Sequence, residues 1–331
     1  MHLDSVRELK QSLASATLAP AALERRIRAM GVAAKPLAAV THPRTVALGI
    51  APRKKADFAL AVRIQHRALG KSDLVETIRR KAAGEVDVRY IGRVVTHIVP
   101  WHQRENRPLR IGGSVGHFKI TAGTLGCFVR GRGDGDGGVF ILSNNHVLAT
   151  ENRAKRGDNV LQPGASDGGV NPDNAVARLH KFVRLSKTKM NEADCAIALV
   201  DERVDCLPTK LLGLGKFAGL GSPVTGGERL AKVGRTTGLT RGRVTAFEVD
   251  DVVVDYDTGE LGFNNQVEIE GTDNEPFSQG GDSGSMIVNA ERCAVALLFA
   301  GSDLGGSDGQ GLTYANPMQT VLSALKVEVI S

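Results

Sequence analysis

The segment GGDSGS, Gly280 to Ser285, sets Ser283 among glycines directly before the apolar run Met286 to Val288. A serine hydroxyl is a weak nucleophile until a base sits beside it. Glycines let the backbone turn sharply, so the N–H groups of Gly281 and Ser283 can converge on one developing oxyanion. The plainer reading is a glycine turn between two strands.

A base is available in ILSNNHVLA, Ile141 to Ala149, where an apolar strand ends in a small polar corner and His146 follows. A histidine at a strand end, with its pKa near working pH, can act as general base; it can equally be structural. In NEADCAIALV, Asn191 to Val200, Asp194 heads an apolar run. A carboxylate there is costly to bury unless something uses it, and orienting an imidazole is such a use. Its plainer reading is a turn aspartate that starts a strand.

Order and spacing join the three. His146 precedes Asp194 by 48 residues and Asp194 precedes Ser283 by 89, against about 45 and 93 in the His, Asp, Ser order of chymotrypsin. The order with serine first and histidine last is excluded. The expectation is a triad of His146, Asp194 and Ser283, with Gly281 and Ser283 as oxyanion donors.

Elements must position these groups. Thirty-nine glycines and 4% aromatics fit many short strands and tight turns. Beyond residue 113, strand-like runs recur between glycine turns: Gly123 to Val129, Gly138 to Ser143, Gln266 to Glu270 and Ala294 to Phe299. This is the rhythm of a β-sandwich or barrel. A closing helix, Pro317 to Leu325, places Val321, Leu322 and Leu325 on one side. Ahead of this lie helical patterns at Val6 to Leu13 and Pro20 to Met30. Strand-like Thr45 to Ala51 and Phe58 to Gln65 flank a basic turn PRKK. A helix capped by Ser72 follows, with Leu74, Val75 and Ile78 on one face, and then a strand from Val86 to Ile91. Residues 1–92 therefore read as a small α+β (ββαβ) domain, 93–113 as a linker and 114–331 as the β domain that carries the triad.

The 331 residues carry a net +6, but the charge is uneven: 21 basic against 9 acidic residues up to residue 110 give +12, leaving −6 beyond. Docking of the basic part on a partner or on its own acidic half is expected; no nucleic-acid motif accompanies it. MHLDSVRELKQSL has acids among its bases and no apolar run, so it does not read as a secretory signal, and no stretch of 18 apolar residues would span a membrane. Cys127, Cys195, Cys206 and Cys293 lack metal-ligand spacing and read as reduced, buried thiols in a cytoplasmic protein. GRGDGDGG, Gly131 to Gly138, lacks the later glutamate of a calcium loop and reads as a turn. No metal or cofactor is expected.

On these motifs the chain resembles the trypsin-like, chymotrypsin-fold serine peptidases of bacterial type over roughly residues 111 to 325. Ser285 and Met286 stand where the common GDSGGP has Gly and Pro, and no cysteine stands directly after His146 to brace its loop with a disulfide. KVGRTTGLTRGRVTA, Lys232 to Ala246, is similar to the GSTTG-containing hairpin of bacterial extracellular members. GTLGCFV, LSNNHVLA and VGRTTGL also resemble the subfamily of the plant Narrow Leaf 1 proteins. The resemblance implies a double β-barrel and a serine endopeptidase acting on protein or peptide. A noncatalytic binding protein on the same scaffold is the alternative. It further implies that Phe299, Ala300 and Gly301 pair with substrate backbone, and that Phe277 and Ser278 line the primary pocket. PLRIGG resembles an activation junction in which cleavage after Arg110 would free Ile111 to pair with Asp282; it also reads as an ordinary first strand. Residues 1–92 could be an inhibitory or folding prosegment, a recognition module for a substrate or regulatory partner, or a structural extension.

Overall fold

The computed structural model describes residues 1–16, 46–64, 70, 72–91, 99–132, 137–272, 275–307 and 309–331. It divides into two compact units, Met1–Ile98 and Val99–Ser331. In the first unit, helix α1 (Leu3–Ala16) precedes strands β1 (Val46–Lys54) and β2 (Asp57–Ile64), helix α2 (Asp73–Lys81) and strand β3 (Val86–Tyr90). β1 pairs antiparallel with β2, and β2 parallel with β3. A parallel neighbour requires a crossover, which α2 supplies. The Ser72 hydroxyl accepts from the Val75 N–H at 3.4 Å as its cap, and Leu74, Val75 and Ile78 are buried with Val6 and Leu13 of α1. The expected turn at PRKK falls later, because β1 runs on to Lys54. The expected helix Pro20 to Met30 lies outside the described residues.

The second unit is a chymotrypsin-like double β-barrel. Its first sheet comprises β5 (Ser114–His117), β6 (Gly123–Thr124), β7 (Cys127–Gly131), β8 (Phe140–Ser143), β9 (Asn159–Leu161), β10 (Ala175–Phe182) and β11 (Ala196–Val200). They pair in the order β7-β8-β11-β10-β9-β5-β6. The sheet curls back on itself because β6 runs on through Leu125 and Gly126 into β7, and the Gly126 N–H donates to the Leu142 carbonyl of β8 at 2.9 Å. The connection to the second sheet holds four short strands. They are β12 (Cys206–Leu207), parallel to β4 (Leu109–Arg110), then β13 (Lys210–Leu211), β14 (Gly215–Lys216) and β15 (Gly219–Leu220).

The second sheet contains β16 (Arg229–Gly234), β17 (Gly238–Val249), β20 (Gln266–Gly271), β21 (Met286–Val288), β22 (Cys293–Gly301) and β23 (Leu312–Pro317). The order β22-β21-β16-β17-β20-β23 closes as a barrel because β22 also pairs with β23. Between β17 and β20 the chain inserts a separate hairpin, β18 (Val252–Tyr256) and β19 (Gly259–Phe263). After β23 comes the expected helix, α4 here (Met318–Leu325), whose Met318, Val321, Leu322 and Leu325 are buried. It then leads into β24 (Val327–Val329), which pairs with β7 of the first sheet.

Two expectations change. Residues 99–113 belong to the second unit rather than to a free linker: Leu109 and Ile111 are buried in its core. All four cysteines are free, but only Cys127 and Cys195 are buried; Cys206 and Cys293 are half-buried. Burial pushes the Cys127 thiol up to about 12. Among the described residues no helix is long and apolar enough to cross a membrane.

Candidate active site

The sheet register explains why two distant segments meet. Ser143 at the end of β8 pairs with Ala196 at the start of β11. The residue types then switch from apolar to small and polar. Asn144 leads into a one-turn helix, α3 (Asn145–Leu148), that lifts His146 off the strand end, and Asp194 lies two residues ahead of Ala196 across the pair. His146 Nδ1 stands 2.5 Å from Asp194 Oδ2. The carboxylate is fully buried. Its Oδ1 accepts from the N–H groups of Asn145 at 2.6 Å and His146 at 3.3 Å, and its Oδ2 also accepts from the Tyr256 hydroxyl at 2.7 Å. Its own N–H donates to Asn316 Oδ1 of β23 at 3.0 Å.

Such a site fixes the imidazole's charge preference. Burial disfavours the imidazolium, but the Asp194 carboxylate, by charge and by hydrogen bond, outweighs it, and Glu151 adds to the attraction, so the His146 pKa is raised. The side chain stays 23% exposed, which leaves a proton route open.

Ser283 sits on a loop held from below by Asp282. Asp282 Oδ1 accepts from Thr236 N–H at 2.8 Å and Thr237 N–H at 3.1 Å. Its Oδ2 accepts from the Thr237 hydroxyl at 2.7 Å, Gln279 N–H at 3.0 Å and Lys232 Nζ at 3.1 Å. Two left-handed glycines then let the chain double back. At Gly281 (φ 94°) a Cβ would lie 2.5 Å from Thr236 Oγ1, and at Gly284 (φ 91°) it would lie 2.0 Å from Ser143 Oγ; neither place admits a side chain. Thr124 ties the loop to the first barrel. Its N–H donates to the Ser283 carbonyl at 2.8 Å and its hydroxyl to the Gly281 carbonyl at 3.0 Å. Among the described residues, neither the Gly281 nor the Ser283 N–H donates to a protein acceptor.

One glycine shows that the halves converge. A Cβ on Gly123 would meet Val147, next to His146, at 2.5 Å and the Ser283 carbonyl at 3.1 Å. The Ser283 hydroxyl, however, donates to the Phe299 carbonyl at 3.4 Å. Among the described residues no hydrogen bond joins it to His146.

Phe299, Ala300 and Gly301 form the end of β22. The Ser278 hydroxyl lies 2.7 Å from that of Thr313. The Phe277 ring is 1% exposed and packs in the second barrel's core with Leu230, Val244 and Ile269 instead of facing an open pocket, and its carbonyl accepts from the Thr240 hydroxyl. The expected activation junction runs from a strand into the core. Arg110 is in β4, Ile111 is 1% exposed, and Asp282, the expected partner of a freed ammonium, is already paired with Lys232. Four contributors went unread in the sequence: Tyr256, Asn145, Asn316 and Lys232. Only Asn145, beside His146, carried a local signal.

Residues 193–314 match the family model described as the Nal1 C-terminal domain. No curated protein matches. Among solved structures, a glutamic acid specific serine protease described as using a histidine triad in substrate binding is 23% identical, with a TM-score of 0.48 over 67% of this chain and 100% of that one. Thermobifida fusca Protease A is 15% identical, with a TM-score of 0.46 over 67% and 100%. An alpha-lytic protease homolog, N4, is 21% identical, with a TM-score of 0.45 over 66% and 98%. The chain is thus similar in fold to bacterial serine proteases, and its segment 193–314 is similar to the Nal1 C-terminal domain.

Proposed function

We propose that the protein is a serine endopeptidase that cleaves peptide bonds through an acyl-enzyme. The observation that carries the reading is the buried Asp194 carboxylate bonded to His146 Nδ1, which leaves Nε2 as the free base. In the reaction Ser283 Oγ attacks the substrate carbonyl carbon while His146 Nε2 takes the hydroxyl proton. Asp194 holds the tautomer and stabilises the imidazolium. The N–H groups of Gly281 and Ser283, which have no protein acceptor among the described residues, would donate to the oxyanion. The imidazolium then gives its proton to the leaving amine, and a water, deprotonated by the same nitrogen, releases the acyl group and restores Ser283.

Substrate backbone would add as a strand along Phe299, Ala300 and Gly301. Ser278 and Thr313 would offer hydroxyls, not a charge, to the first side chain. Ser283 must first rotate away from the Phe299 carbonyl, which supports a resting form awaiting substrate or a regulatory partner, with residues 1–92 as a candidate recognition element. The four free thiols fit a reducing, cytoplasmic setting.

A fluorophosphonate probe tests the reading. Labelling that disappears in Ser283→Ala supports it. Absence of labelling in the unaltered chain, including after limited proteolysis, favours a binding protein on a protease scaffold.

A further inference from the structure

A carboxylate offers about four acceptor sites, and on Asp194 all four are filled. Asn145 N–H and His146 N–H take Oδ1; His146 Nδ1 and Tyr256 Oη share Oδ2. Three of these donors come from the one-turn helix beside it. The fourth crosses from the hairpin inserted in the second barrel. Tyr256 is itself only 9% exposed, and its ring meets His146 edge-on at 5.8 Å and stacks on Phe263 at 6.1 Å.

The hairpin that carries it is fastened at both ends to the first barrel's loops. At the tip, Glu151, five residues after His146, accepts the N–H groups of Asp257 and Thr258 at 3.1 and 3.0 Å, and Arg153 pairs with Asp257 at 3.3 Å. At the base, Asn191 N–H donates to the Gly262 carbonyl and Asn264 N–H to the Asn191 carbonyl, each at 2.9 Å. Fixing an exposed hairpin from both sides limits the freedom of the one hydroxyl it delivers to the site.

We infer that Tyr256 is a positioning residue of the triad, its phenol holding Asp194 Oδ2 in line with His146 Nδ1. The claim rests on the serine endopeptidase reading. The phenol stays a donor throughout, because burial and then the Asp194 charge push its pKa well above 10. The titratable groups facing the His146–Asp194 pair are Tyr256, Glu151 from the loop after His146, and Cys195 beside Asp194. By drawing on the carboxylate's charge, the phenol moderates the pull of Asp194 on the imidazolium.

Tyr256→Phe removes one oxygen and keeps the ring. In the full chain kcat should fall about tenfold, the kinetic equivalent of one hydrogen bond, with KM unchanged. The His146 imidazole pKa, followed by NMR in a Ser283→Ala background, should move further up when Tyr256→Phe is added. An unchanged kcat and an unmoved His146 titration, whatever the melting temperature does, would overturn the assignment. The NMR arm needs no turnover. A shift without any Ser283-dependent probe labelling would support the coupling of Tyr256 to the pair and sink the hydrolase reading alone.

Discussion

Lys232 Nζ lies 3.1 Å from Asp282 Oδ2, and neither side chain is exposed to solvent. The lysine comes from β16 and the aspartate from the loop that carries Ser283, so the pair joins the barrel wall to the chain's candidate nucleophile. Nζ also donates to the Thr237 hydroxyl and, at 3.3 Å, to the Gly238 carbonyl. Burial lowers the lysine's pKa, opposed by Asp282.

Removing the lysine strands a carboxylate in the interior. Lys232→Met is expected to destabilise the fold by about 3–5 kcal/mol, read as a lower urea midpoint, and to abolish probe labelling at Ser283. The double variant Lys232→Met with Asp282→Asn should recover much of the stability, since no lone buried charge remains. A single variant as stable as the unaltered chain would refute the ion pair.

Because Asp282 is already paired, cutting the chain at 110–111 has nothing to supply. Arg110→Gln, which blocks tryptic cleavage there, should label as fast as the unaltered chain, and mass spectrometry of labelled protein should show that bond intact. Labelling that depends on a new Ile111 terminus would reverse this view.

The raised pKa of His146 sets a pH dependence. The base form is the working form, so the acid limb of kcat/KM should lie above the ordinary imidazole value of 6.5. For stability the sign is opposite in sense: the protonated His146 stabilises the fold fully below its unfolded pKa, and this contribution is lost as pH rises through the folded value. Asp194→Asn removes the main source of the raised value. The limb, or the NMR titration, should move down, and kcat should fall on the order of 10⁴-fold.

Phe277 tests where the primary pocket is. With its ring in the core, Phe277→Ala should cost about 3–5 kcal/mol and leave the profile of cleaved residues in a peptide library unchanged. Ser278→Ala should do the reverse, shifting that profile at little cost in stability. A changed profile in Phe277→Ala would put the ring back in the pocket.

Short-range features were legible in the sequence. The Ser72 cap and the burial of Leu74, Val75 and Ile78 follow from local spacing, as does α4. His146 and Asp194 could be paired from their order and spacing with Ser283, and the β8–β11 register is what brings them together. Tyr256, Asn316 and Lys232 could not be read that way: their partners lie 62, 122 and 50 residues away, and nothing beside them in sequence names those partners. The same holds for residues 99–113. Their polar, proline-containing composition looks like a connector, but buried Leu109 and Ile111 and the parallel pairing with β12 draw them into the β unit.

The last strand has a mechanical meaning. The chain leaves the second barrel at Pro317, turns through α4 and ends by adding Val327, Glu328 and Val329 to Gly131, Arg130 and Val129 of the first. The first barrel is thus stapled by chain that arrives from the second. Heating should melt residues 99–331 in one step rather than barrel by barrel, and truncation after Leu325 should lower that single transition while baring an edge of β7 to self-association.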